Sequence, residues 1–137
     1  MWVLYSVLAA LFAALTTILA KVGISGINSN LATAIRTCVV LVMSWVVVYV
    51  TGGQKDFGAL NKNNLIFLAL SGLMTGLSWL CYYKAVSVGD VSRVAAVDKF
   101  SVVLVILLSA IFLKEQVGIK TIIGGVLITL GTIFMIF

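Results

Sequence analysis

Residues 2–20 read WVLYSVLAALFAALTTILA, nineteen residues without a single charge. A helix rises about 1.5 Å per residue, so this run alone nearly spans a hydrocarbon core about 30 Å thick. No Lys or Arg precedes it, so the basic start of a secretory leader is missing, and the run is longer than a leader's apolar centre. It is expected to remain as a first helix. Four more apolar runs follow at 31–50, 65–83, 91–113 and 119–137. Short polar stretches divide them: Lys21 with Gly23 to Asn30, then Thr51-Gly52-Gly53 and the polar residues 54–64, then Lys84 to Asp90, then Lys114-Glu115-Gln116. A membrane barrel would instead show ~10-residue segments alternating with period two. The expected fold is therefore an all-α bundle of five transmembrane helices, at 2–20, 31–50, 65–83, 91–113 and 119–137, forming one domain over 1–137.

Composition supports the same reading. The chain is 63% hydrophobic and 9% charged, with a mean hydropathy of +1.26, whereas a soluble domain carries roughly a quarter charged residues. So little polar surface cannot cover a globule in water, and the solvent is lipid. The nine Lys and Arg give a net charge of +5 but stand singly, mostly at run ends, where such side chains anchor helices at the headgroups. Nucleic-acid binding needs them gathered on one face and is not expected. Cys38 and Cys81 lie inside apolar runs of a chain without histidine, so they read as small apolar groups, and no metal or cofactor is expected. Without histidine, paired carboxylates or a nucleophile beside a base, the chain is not expected to be an enzyme.

Chemistry is expected at the ionisable residues inside the runs, because charge within a membrane helix costs several kcal/mol and marks a site or a pairing. There are three: Arg36, Asp98 and Lys99. Lys99 lies eight residues past Val91, about 12 Å along the axis and close to the midplane. Arg36 is nearer an end and long enough to reach headgroups. Asp98 is too short to do so and needs a partner. Neighbouring side chains on a helix point about 100° apart, so Asp98 is expected to reach Arg36 or Lys84 rather than Lys99.

Polar faces extend the candidate site. Ser71, Thr75, Ser78 and Tyr82 share one face of the third helix, and Asp98, Ser101, Val105 and Ser109 one face of the fourth. Ser78, Trp79, Tyr82 and Ser101 are therefore expected to line a pocket with Arg36, Asp98 and Lys99. The alternative for any such face is close helix packing, for which small residues are preferred in membranes. That reading is taken for Ser6, Ala9, Ala13 and Ala20 on the first helix, and for the glycine pairs Gly72/Gly76 and Gly124/Gly131, as helix- or dimer-packing positions.

With five spans the termini lie on opposite sides. Lys55, Lys62, Lys114 and Lys120 share the N-terminal side, while Lys21, Lys84 and Arg93, with Arg36 not far below, lie on the other. Orientation follows a Lys/Arg bias between sides, and here there is almost none. Either the polar 54–64 loop holds one orientation, or copies insert both ways and pair antiparallel.

The stretch Gly72-Leu-Met-Thr-Gly76-Leu-Ser-Trp79-Leu-Cys-Tyr82-Tyr83-Lys84-Ala85, with Val88-Gly89-Asp90-Val91-Ser92, Phe112-Leu113-Lys114-Glu115-Gln116 and Gly124-Gly125-Val126-Leu127-Ile128-Thr129-Leu130-Gly131, resembles the EamA domain of the drug/metabolite transporter superfamily. Arg36 sits where such domains often carry an arginine. The resemblance spans essentially the whole chain. It implies a five-helix unit that most members carry twice, the second copy inverted, and a bacterial inner-membrane location. One unit implies a homodimer, which agrees with the even loop charge. Members commonly have a proline in the fourth helix; here Ala95-Ala96 stands there and the chain has no proline, which removes the usual cause of a break. The last-helix glycines resemble those of the small multidrug resistance transporters, but the first helix lacks their carboxylate. The function expected is a carrier for a small metabolite or drug, amino-acid-like or anionic given Arg36 and Lys99, working by alternating access as an antiparallel homodimer in the lipid bilayer. A non-transporting membrane scaffold or subunit, or a channel, is the alternative.

Overall fold

A computed structural model describes all of residues 1–137. Its elements are α1 (Trp2–Ile24), α2 (Ser29–Thr51), a 3-10 helix (Gly53–Ala59), α3 (Lys62–Val88), α4 (Val91–Asp98), α5 (Phe100–Phe112) and α6 (Ile119–Ile136), with no strand. Five spans are long and apolar enough to cross a membrane: α1, α2, α3, α4 with α5, and α6. The fold is an all-α membrane bundle.

The helices overrun the apolar runs that announced them. Lys21 stays within α1, and α3 gains a turn at its start and another past Tyr83. Polar residues at headgroup depth still make i→i−4 bonds, so hydrophobicity marks the membrane rather than the helix end. Local chemistry sets the ends. Asn28 caps α2, its side-chain oxygen accepting from the Asn30 N–H at 2.8 Å and satisfying a donor the helix leaves free. Gly52 closes the same helix in the left-handed region, φ 79°, its N–H donating to the Tyr49 carbonyl at 3.3 Å. The polar stretch after it is no open loop. It coils into the 3-10 helix, and Phe57 stacks on Trp45 with ring centres 6.0 Å apart.

Lys114 ends α5 with φ 53°, a region in which a side chain is strained by about 1 kcal/mol. The turn is held by the Glu115 N–H, which donates to the Ser109 carbonyl at 3.3 Å. Lys114→Gly is therefore expected to stabilise the protein by about 1 kcal/mol. A denaturant titration in detergent micelles reads this, and a midpoint that moves down instead would discount the strain.

The fourth span departs from expectation. Despite the missing proline it is broken, at Lys99, between α4 and α5. Across the break the backbone tightens to i→i−3 bonds, from the Lys99 N–H to the Ala96 carbonyl at 3.1 Å and from the Val102 N–H to the Lys99 carbonyl at 3.0 Å. The cause lies on α6. The Thr132 hydroxyl donates to the Ala96 carbonyl at 3.1 Å, so that oxygen is engaged where an unbroken helix would use it for the amide four residues on. A side chain inserted into the ladder is a recognised source of a kink.

The chain packs as two compact units, Leu19–Ser87 and Met1–Ile18 with Val88–Phe137. In the second, α6 packs on α4 and α5. Gly125 is buried there, and a methyl added to it would come within 3.3 Å of the Ile106 side chain, so the helices approach closely at that point. The packing role expected of Gly72, Gly76, Gly124 and Gly131 is not seen within the chain, since all four face open space. Gly125, one residue from Gly124 and turned onto α5, takes it instead. In the Leu19–Ser87 unit the interior is formed by Ile24, Tyr83 and Val86, the last fully buried. The Lys21 ammonium donates to the Val86 carbonyl at 2.7 Å. That carbonyl belongs to the last turn of α3, where helices leave acceptors unsatisfied and favour a cation. Lys21 is thus a clamp on the end of α3, beyond the headgroup anchor that its position predicts.

Candidate functional site

The residues predicted to form one pocket fall into two clusters, one in each unit. The first is built on α2 and α3. The guanidinium carbon of Arg36 lies 4.6 Å from the centre of the Trp79 ring and 4.5 Å from that of Tyr83. Trp79 and Tyr83 are four apart, so both rings leave the same face of α3, one turn above the other. Tyr82 stands edge-on to Tyr83, ring centres 5.4 Å apart and planes at 85°. A cation over aromatic faces gains about 2 kcal/mol when shielded from water, which accounts for an arginine at this depth without a carboxylate beside it. Nη1 of Arg36 is buried and has no hydrogen-bond acceptor.

Tyr83 is the residue that sequence reasoning missed. It is 3% exposed, the most enclosed aromatic of the cluster, and the i+4 step from Trp79 was the signal for it. Of the polar face predicted for α3, Ser71, Thr75 and Ser78 are exposed and Tyr82 turns partly inward. The Thr75 hydroxyl donates to the Ser71 carbonyl at 2.9 Å. A hydroxyl satisfied on its own helix needs no polar cavity to face.

The second cluster sits at the break. Asp98 is the last residue of α4, Lys99 the joint, and Ser101, exposed, lies in the first turn of α5. Within its own unit Asp98 pairs with its neighbour. Its carboxylate is 3.7 Å from the Lys99 ammonium. The 100° rule that argued against this pair holds for a regular helix, and the helix is not regular here. At 3.7 Å the contact is an ion pair rather than a short hydrogen bond. Both side chains remain open, Lys99 61% and Asp98 41% exposed. Each also sits at the wrong pole. A carboxylate ends α4 where carbonyls already gather negative charge, and an ammonium begins α5 where amides gather positive charge. Each misplacement costs a few tenths of a kcal/mol or more. Stability alone would not select this arrangement.

The Thr132 contact maintains the break, and removing it has a definite expected effect. Thr132→Val keeps the shape and deletes the donor, and is expected to lower stability by about 1 kcal/mol, the scale of interhelical hydrogen bonds in membranes. Unfolding in a mixed-micelle titration measures it. A variant as stable as the parent would show that the bond does not hold α4 to α6.

Comparison with known proteins places this geometry in context. Residues 1–137 match the EamA-like transporter family over their whole length. A relative from Sinorhizobium sp, described as "Uncharacterized transporter in cobO 3'region", is 41% identical over 134 residues, covering 98% of this chain and 95% of the relative. No solved structure matches the chain significantly.

Proposed function

Because this chain belongs to the EamA-like transporter family, we propose that two copies associate antiparallel into a carrier that moves a small metabolite or drug by alternating access. The observation that carries this reading is the open Asp98–Lys99 pair at the break in the fourth span. Lys99 stands about 12 Å into the span, near the bilayer midplane. An ammonium turned to lipid at that depth costs about 3 kcal/mol or more. The exposed surface therefore needs a cover of protein and water, which a second copy supplies. Broken helices at the midplane, between two repeats of opposite orientation, are where secondary transporters hold their solutes. Two further facts support the pairing. Lys and Arg are nearly balanced between the two sides, which favours neither orientation. The relative is matched over 95% of its own length, so it too has the size of one five-helix unit.

In this reading the break divides labour. α4 and α5 pivot about Lys99, while the Asp98–Lys99 pair and Ser101 face the cavity between copies. The membrane is the bacterial cell membrane. Reconstitution tests the function: purified protein in liposomes is screened for counterflow of labelled amino acids, organic anions and organic cations. Saturable counterflow of at least one class is expected. Folded protein that moves none of them would leave a scaffold as the better account.

A further inference from the structure

We propose that the Arg36 seat is a binding site for the carboxylate of a small organic anion, a substrate class resting on the carrier reading above. A cation over rings is stabilised in charge, but rings do not replace directed acceptors for its N–H groups, and Nη1 is buried with none. An unmet buried donor is destabilising, the more so when it is charged. No ion pair engages Arg36. Of the chain's four carboxylates, Asp90 pairs with Arg93 and Asp98 with Lys99, Asp56 lies in the 3-10 helix and Glu115 between α5 and α6, both outside the spans. In this proposal the solute supplies the acceptor. Arg36 as a whole is half-buried rather than enclosed. A guanidinium held on Trp79 and Tyr83 is an oriented fork that a carboxylate meets with two parallel bonds. Lysine, a point charge, would not reproduce it.

Trp79 makes the site readable. With Trp2 and Trp45 replaced by phenylalanine, Trp79 is the sole tryptophan, and its emission in nanodiscs reports what approaches the guanidinium. Acetate, succinate and benzoate are titrated beside inorganic phosphate and tetraethylammonium, in discs of phosphatidylcholine and again with phosphatidylglycerol added. The expected result is a saturable change with at least one carboxylate, none with tetraethylammonium, and an apparent affinity about tenfold weaker or worse in both Arg36→Lys and Arg36→Gln. Three outcomes would overturn the proposal: no carboxylate response, a response unchanged in Arg36→Gln, or a seat already occupied once phosphatidylglycerol is present, which would assign it to lipid headgroups. A response to phosphate without any to carboxylates would overturn it as well. Carboxylate binding without flux would uphold this site and sink the carrier. Flux of a cation with a silent Trp79 would do the reverse.

Discussion

Lys99→Ala is expected to reduce saturable counterflow roughly 100-fold, while the protein still folds and inserts. The size follows from what is lost and what is left behind: a hydrogen bond from a charged group is worth about 1.5–3 kcal/mol, each 1.4 kcal/mol or so is tenfold, and a carboxylate is left without its counter-ion. Here the stranded group is Asp98, 3.7 Å away and already at the carbonyl end of α4. Folding is spared because Lys99 packs against little, its side chain being 61% exposed. Lys99→Arg keeps the charge and is expected to retain a measurable fraction of the flux. A Lys99→Ala protein with parental counterflow would remove the break from the transport site. Flux and unfolding midpoint are measured on the same preparation, so that misfolding and loss of function separate.

Tyr83→Ala carries the largest expected loss of stability, about 3–5 kcal/mol. Its ring is enclosed and touches Tyr82 and the Arg36 cation. Removing it opens a cavity and leaves Arg36 leaning on Trp79 alone. Tyr83→Phe keeps the ring face and is expected to cost under about 1 kcal/mol, a volume-conserving change. The cation–π share can be isolated by a cycle with Arg36→Leu: Tyr83→Ala should cost about 1–2 kcal/mol less when no guanidinium is present to be stranded. Equal costs in both backgrounds would mean that the ring acts only as filler.

The spans were legible because length and hydropathy report the membrane directly. Their ends were not, because Lys21, Lys84 and Ser87 continue the helices without being apolar. The break at Lys99 was hidden for a stronger reason. Its cause is Thr132, whose hydroxyl donates to the Ala96 carbonyl 36 residues away, and a tertiary hydrogen bond leaves no mark on the local sequence. Arg36, Trp79 and Tyr82 were legible as a cation and aromatics out of place in lipid. Asp98 misled by being judged against a regular helix.

Exposed charge deep in the fourth span, a balanced set of loop cations and one five-helix unit support the central proposal, that the working carrier is two copies facing opposite ways. Site-directed labelling of a C-terminal tag in intact and permeabilised cells tests it. Comparable numbers of copies labelled from each face of the membrane are the predicted result. Essentially every tag on one face would contradict it.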